Sequence, residues 1–117
     1  MYNNKKALSS KQEKMVAKNL DGKVQSNSGA TIWQKGDVIL QKHGILIECK
    51  TKETESKTFS IKKEWLEKIK QEAFGMGLNS NRATLVFDFG DGTPFYVITE
   101  KFYKEILSLL QLEEDKW

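Results

Sequence analysis

Hydrophobic positions recur along the chain with two periods, one typical of helices and the other typical of strands. The first helical stripe consists of Glu13, Val16, Ala17 and Leu20. It predicts a helix from Ser9 or Ser10 to Asp21-Gly22, where glycine suits a left-handed C-terminal cap. Glu13 then projects from the face that packs on the domain. Ser10 and Glu13 also fit a capping box, in which the glutamate reaches back to the N-cap amide, and the local sequence leaves both interpretations open.

Two further helices are predicted downstream. The stripe of the second consists of Ile61, Trp65, Ile69 and Ala73 and is widened by Leu66. Ser60 is its predicted N-cap, and Gly75 and Gly77 mark its end. Thr99 is the predicted cap of the third helix. The stripe of that helix consists of Phe102, Tyr103, Ile106, Leu107 and Leu110. The pattern leaves open whether this stripe packs on the sheet or forms a dimer surface.

Five extended segments separate the helices. The first covers residues 24–26, and two β-branched runs, 36–42 and 45–50, flank a predicted two-residue turn at His43-Gly44. Residues 83–89 and 95–98 form the last two strands, joined by a Gly-Asp-Gly-Thr-Pro turn. The predicted order is α-β-β-β-α-β-β-α, an α/β fold in a single domain over residues 1–117 with its core at about 9–112.

The hairpin brings charged residues together. With a two-residue turn, Asp37 lies opposite Lys50 and Ile39 lies opposite Glu48, so Asp37, Glu48 and Lys50 share one face of the sheet. Any even turn length keeps this arrangement, whereas an odd length without a bulge reverses it. Cys49 alternates to the opposite face, where we expect its thiol in the core.

The net charge of +3 names no partner, but its distribution is uneven. Residues 1–50 contain nine lysines against four acidic residues, whereas residues 76–117 contain four basic and seven acidic residues. The N-terminal half would attract a polyanion such as DNA, although a solvated lysine-rich surface explains the excess equally well. The single cysteine excludes an internal disulfide and a thiolate-rich zinc site. The apolar runs are too short to span a bilayer, and the N-terminus lacks the apolar core of a signal peptide. We therefore expect a cytoplasmic protein without membrane contact.

Two carboxylates on adjoining strands form a hard, oxygen-rich site that suits Mg²⁺. A metal held by Asp37 and Glu48 would polarise a phosphodiester and lower the pKa of an attacking water. Lys50 points to the same side, where its ammonium can position that water or offset charge in the transition state. The alternative is that these residues are ordinary charges on the exposed face of a hairpin.

The pair Gly36-Asp37, followed by Glu48-Cys49-Lys50 in an α-β-β-β-α-β succession, resembles the PD-(D/E)XK nuclease superfamily. Glu13 on the first helix, the Asn27-Ser28-Gly29 loop and the short chain are similar to its Holliday junction resolvase branch, found in archaea and phages. The resemblance covers roughly residues 9–98 and departs at Gly36, where the superfamily name has proline. It implies a restriction-endonuclease-like αβββαβ core with a central mixed sheet flanked by helices.

The resemblance also implies the roles of individual residues. The catalytic set would be Glu13, Asp37, Glu48 and Lys50. Mg²⁺, or Mn²⁺ in its place, would be held by Asp37, Glu48 and the backbone carbonyl of Cys49, with no organic cofactor. DNA would be bound by Lys11, Lys14, Ser28 and Lys35, together with Lys5 and Lys6. The expected activity is cleavage of four-way DNA by a homodimer, leaving 5′-phosphate ends, in the cytoplasm of a cell or of a viral host.

Three other interpretations of the chain stay open. It could be a nuclease of the same superfamily that acts on duplex, flap or nicked DNA, a non-catalytic DNA-binding module, or a protein-interaction domain without a nucleic-acid role. The remaining candidate residues have simpler roles: His43 as a turn residue, Trp65 as a core anchor rather than a base-stacking platform, and Gly90-Asp91-Gly92 as a hairpin turn rather than a phosphate-binding loop.

Overall fold

The computed structural model describes residues 4–25 and 36–116, and in these residues three α-helices accompany a five-stranded sheet. The helices are α1 (Asn4–Leu20), α2 (Lys63–Gly75) and α3 (Glu100–Glu114). The strands are β1 (Lys23–Val24), β2 (Val38–Leu40), β3 (Ile45–Lys50), β4 (Thr84–Phe87) and β5 (Phe95–Val97), and a short 3-10 turn, Ser80–Arg82, precedes β4. The predicted order of helices and strands and the α/β class are confirmed.

The sheet is mixed, and its strands are arranged in the order in which they occur in the chain. β3 and β4 are parallel, whereas every other neighbouring pair among the described strands is antiparallel. Parallel neighbours need a crossover, which α2 supplies between β3 and β4. In this register Glu48 lies beside Leu85 and Lys50 beside Phe87.

The two faces of the sheet form two apolar clusters, one under each of the first two helices. The α1 face contains Val16, Ala17, Val38, Leu40, Ile47, Cys49 and Val86. The α2 face contains Ile39, Leu46, Ile69, Ala73 and Ala83. Because neighbouring strand residues point to opposite faces, the Cys49 thiol packs under α1, as predicted, while Glu48 lies on the α2 side.

α1 begins earlier than its apolar stripe predicts. It starts at Asn4 rather than at Ser9 or Ser10, so Ser10 lies inside the helix and the capping box with Glu13 is wrong. At the other end, the left-handed residue is Asp21, with φ 55°. Gly22 has a different role, since a Cβ there would lie 2.9 Å from the Ile39 carbonyl oxygen. This glycine allows close approach of the chain to β2.

The predicted N-cap of α2 at Ser60 is also wrong. The helix starts at Lys63 after Lys62, which makes no side-chain cap, and Ile61 stays outside the helix and exposed. In the segment before α2, the Phe59 ring packs on Phe87, with a centroid distance of 4.7 Å. The cap of α3 is confirmed, since the Thr99 hydroxyl accepts a hydrogen bond from the Phe102 amide at 3.2 Å.

The β2–β3 hairpin has a four-residue turn, Gln41 to Gly44, instead of the predicted two-residue turn. The His43 amide donates to the Leu40 carbonyl at 3.1 Å, and Gly44 adopts φ 64°. Leu40 therefore pairs with Ile45, and the predicted pairing of Asp37 with Lys50 is shifted by two residues. Because the turn length is still even, each side chain keeps its predicted face of the sheet.

α3 packs less closely on the body than the other helices. Phe102 is its buried residue, and an ion pair between the Arg82 guanidinium and Glu105 at 2.6 Å joins it to the 3-10 turn. Tyr103, Leu107 and Leu110 remain exposed. In the described ranges, no helix is long and apolar enough to cross a membrane.

Candidate active site

Asp37 is fixed by three hydrogen bonds, two of them to β3. Its amide donates to the Ile47 carbonyl at 2.9 Å, and its carbonyl accepts from the Gln25 amide at 2.8 Å. Its carboxylate oxygen Oδ2 accepts from the buried Cys49 amide at 2.7 Å. A carboxylate bonded to the backbone amide after Glu48 has little freedom to move, so β3 sets its position.

Gly36 is required at the entry to β2. It adopts φ +75°, and a Cβ at this position would lie 2.6 Å from Leu46 Cγ. Its amide donates to Glu72 Oε2 at 2.9 Å. Proline has neither a positive φ nor an amide hydrogen. Proline is therefore excluded from this position by the local structure, and Glu72 orients the peptide that precedes Asp37.

Glu48 is buried with 7% of its surface exposed, and two ammonium groups lie near its carboxylate. Oε1 is 3.7 Å from Lys50 Nζ and 3.8 Å from Lys68 Nζ. Lys50 Nζ also lies 4.5 Å from the centre of the Trp65 ring, a cation–π arrangement. Lys50 is thus held between a carboxylate and an aromatic face.

Glu13 reaches the same place from α1, within hydrogen-bonding reach of the Asp37 side chain. Burial, followed by the negative charge of Asp37, raises the pKa of Glu13 from 4.5 to about 7. Burial and Asp37 also raise the pKa of Glu48, although Lys68 and Lys50 oppose that shift. We call Glu13, Asp37 and Glu48 the acid cluster.

The negative charge of the acid cluster shifts the pKa values of neighbouring groups. Burial, and then the three carboxylates, raises the pKa of the Cys49 thiol. Partial burial would by itself lower the pKa of Lys68, but Glu48 and Glu72 outweigh it and raise that pKa. Because Asp37 raises the pKa of both glutamates, a cation bound here would be favoured, since it offsets that repulsion.

The chemistry of these donors fits Mg²⁺. In the residues described, no group of three or more His, Cys, Asp or Glu side chains is arranged to hold a metal ion. Mg²⁺ requires less than that, since it is bound through one or two carboxylates and keeps several waters. Asp37, Glu48 and the carbonyl oxygen of Cys49 are hard oxygen donors of this kind, and the two carboxylates interact directly, since Asp37 raises the pKa of Glu48.

Lys68 and Glu72 belong to the site, although the sequence pattern did not identify them. Lys68 Nζ lies 3.4 Å from Glu72 Oε1 and bridges it to Glu48. Each of the two residues comes directly before a buried residue of the α2 stripe, Ile69 and Ala73. A charged pair at i, i+4 along the border of an apolar stripe is the signal that could have identified them.

Gln12 is the other residue that sequence reasoning missed. It is 4% exposed, and its Nε2 donates to the Lys50 carbonyl at 2.7 Å and to Asp88 Oδ2 at 3.2 Å. Asp88 also accepts from the Thr51 hydroxyl at 3.1 Å and from the Gly90 amide at 2.7 Å. Gln12 therefore ties α1, and with it Glu13, to the ends of β3 and β4.

The predicted DNA-binding residues are only partly described. Lys11 and Lys14 are exposed on α1, and Lys11 borders a cavity of about 210 Å³ beside Gln12. Ser28 and Lys35 lie outside the described residues, as do the side chains of Lys5 and Lys6.

The other candidates are turn or boundary residues. His43 is in the exposed hairpin turn, as predicted, and its carbonyl accepts from Arg82 Nη1 at 3.0 Å. Gly90-Asp91-Gly92 forms a turn in which both glycines have positive φ. Trp65 is half-buried, so the prediction that it anchors the core is wrong. Its ring instead packs against the Lys50 ammonium.

Comparison of the chain with protein-family models, with curated proteins and with solved structures gives no match.

Proposed function

We propose that the chain is a metal-dependent, structure-selective endodeoxyribonuclease with a restriction-endonuclease-like core, and that it cuts four-way DNA. The observation that carries the proposal is the convergence of Glu13, Asp37 and Glu48 from three elements, with Lys50 paired to Glu48. The α-β-β-β-α-β order, with β3 and β4 parallel, agrees with the PD-(D/E)XK resemblance.

Each residue of the site has a role in this proposal. Asp37, Glu48 and the Cys49 carbonyl would hold Mg²⁺, with Mn²⁺ able to replace it. When bound, the metal supplies Lewis-acid chemistry that polarises the phosphodiester and makes water more acidic. The Lys50 ammonium offsets negative charge at the phosphate. Glu13, with a pKa of about 7, can accept or release a proton at its carboxylate near neutral pH.

Substrate binding would depend on the lysines of the N-terminal half. Lys11 and Lys14 are exposed on the same helix as Glu13, so they can contact backbone phosphates near the site. Contacts of this kind position DNA without reading its bases. Resolving a four-way junction needs two symmetric cuts, and we therefore propose that the active form is an isologous homodimer in the cytoplasm of a cell or a host.

The decisive experiment compares cleavage of a four-way junction with cleavage of the same arms as linear duplex, in Mg²⁺. Asp37→Asn and Glu48→Gln should each lower junction cleavage by more than about 100-fold, because each removes a metal-binding charge. Both variants should still bind the junction without Mg²⁺. Glu64→Gln, on the exposed first turn of α2, is the matched control and should cleave normally.

The other interpretations give different results in the same assay. Full metal-dependent cleavage by Asp37→Asn would disprove the site assignment. Equal cleavage of the linear duplex would indicate a nuclease with another DNA target. Salt-sensitive binding without any Mg²⁺-dependent cutting would indicate a DNA-binding module, and no DNA retention at all would indicate a protein-interaction domain.

A further inference from the structure

The exposed side of α3 is apolar. Its exposed large side chains are Tyr103 at 54%, Leu107 at 47%, Leu109 at 56%, Leu110 at 53% and Leu112 at 62% exposure. Scattered exposed leucines are ordinary on protein surfaces, but contiguous apolar patches mark interaction sites. Tyr103, Leu107 and Leu110 lie about one turn apart on the same side of α3 and form a patch of this kind.

Helical spacing places three of these five residues in one stripe and the other two, Leu109 and Leu112, outside it. Tyr103, Leu107, Leu110 and Glu114 recur at intervals of four, three and four residues, which is the spacing of a coiled-coil seam. We call these four residues the α3 stripe. Phe102 packs on the body beside this stripe. Leu112 lies about 160° around the helix from Leu110 and so faces away from the stripe.

We propose that two copies of the chain pair through their α3 stripes in antiparallel orientation. In this arrangement Leu107 of each copy packs on Leu110 of the other, and Tyr103 lies beside Glu114 of the other. The Tyr103 hydroxyl can donate to that carboxylate, and Lys104 lies close to the same acidic end. A parallel pair would instead stack Glu114 on Glu114 and bring together the two acidic helix ends, 113–115. Like charges at such close positions are unfavourable, so charge selects the antiparallel pair.

The charge of α3 argues against a membrane or a nucleic acid as the partner of the α3 stripe. Residues 100–116 contain three lysines against five acidic residues. Helices that lie on membranes carry lysine and arginine on their polar face and bind anionic lipid. An anionic membrane and a nucleic acid would both be repelled by a net negative helix, which leaves a protein partner. A second copy supplies the complementary apolar stripe and the complementary charges at once.

The size of the patch sets the expected affinity. A specific interface needs about 1,000 Å² of buried surface in total. Three half-exposed apolar side chains and one carboxylate on each copy make a small interface by this measure. We therefore expect a reversible dimer with a Kd on the order of micromolar. This self-association does not depend on the nuclease proposal, although it would supply the two-fold axis which that proposal requires.

The test is the mass of the full chain in solution, measured by analytical ultracentrifugation over a concentration series. The wild type should shift from monomer to dimer. Leu110→Glu should weaken the dimer by at least about 100-fold, because it places a charge in the stripe. Leu112→Glu is the matched control: the same substitution at an equally exposed leucine on the far side should leave the dimer unchanged. Far-UV circular dichroism verifies that both variants fold, and Leu107→Gln provides a second stripe variant.

Disulfide trapping tests the orientation. In a Cys49→Ser background, a mixture of Leu107→Cys and Leu110→Cys chains should form mixed disulfides on mild oxidation. Glu114→Cys chains should not cross-link to one another, because antiparallel pairing keeps the two positions at opposite ends of the stripe. A wild type that stays monomeric, or stripe and control variants that behave alike, would overturn the proposal. Efficient Glu114→Cys cross-linking would overturn the antiparallel orientation.

Discussion

The acid cluster and the α3 stripe depart from the usual distribution of side chains in opposite directions. In the acid cluster, carboxylates are partly or fully removed from water, whereas in the α3 stripe large apolar side chains remain in water. In the acid cluster, Asp37 accepts a hydrogen bond from the Cys49 amide and two lysines lie near Glu48, yet Asp37 still repels both glutamates. In the α3 stripe, exposed apolar surface costs free energy. Each region would therefore gain from a partner. The two regions are therefore where we propose that the chain binds something else, a cation and DNA in one case and a second copy in the other.

The largest change in stability is expected from a comparison of a buried leucine with an exposed leucine of α3, which tests whether α3 is part of the core. Leu85 on β4 is fully buried, whereas Leu110 is half-exposed. Leu85→Ala should lower the free energy of unfolding by about 2–5 kcal/mol, because it leaves a cavity in the core. Leu110→Ala should change it by less than about 0.5 kcal/mol when the chain is monomeric. Urea unfolding at low protein concentration measures both changes, and similar losses for the two variants would mean that α3 is part of the core.

A smaller change in stability is expected at Gly36, and it tests whether the turn before Asp37 is constrained. Gly36→Ala should lower the free energy of unfolding by about 1–3 kcal/mol, since alanine disfavours φ +75° and its Cβ would clash with Leu46. Gly36→Pro, which matches the superfamily name, should be worse because it also loses the bond to Glu72. Gly75→Ala, where nothing lies within 4 Å of the added Cβ, is the control and should be neutral. A tolerated proline would show that this turn is not constrained.

The smallest change is expected in the pH dependence of stability, and it tests whether the buried Glu13 carboxylate destabilises the fold. The pKa of Glu13 is about 7 in the folded chain, above its ordinary value of 4.5. The folded state therefore binds the proton more tightly, and stability falls as pH rises between these two values. Glu13→Gln should raise the melting temperature more at about pH 8 than at about pH 5, measured with a metal chelator present. An equal change at both pH values would mean that folding does not raise the pKa of Glu13.

Several features of the fold and site could be predicted from residue patterns alone. The order of helices and strands follows from periodicity, and the convergence of Asp37 and Glu48 follows from strand alternation. The exact pairing in the hairpin could not be predicted, because His43-Gly44 is compatible with turns of two or four residues. The helix starts could not be predicted either, since Ser10 and Ser60 have the chemistry of N-caps but α1 begins at Asn4 and α2 at Lys63.

By itself, the sequence determined which residues could share a face, because alternation in strands and spacing in helices are properties of the local backbone. Only the tertiary structure decided which faces meet. It placed Lys68 and Glu72 of α2 against Glu48 and tied Gln12 to the Lys50 carbonyl, and it left the α3 stripe uncovered. These contacts join residues that are distant in the chain, and they depend on how helices pack on the sheet. Local periodicity contains no information about that packing.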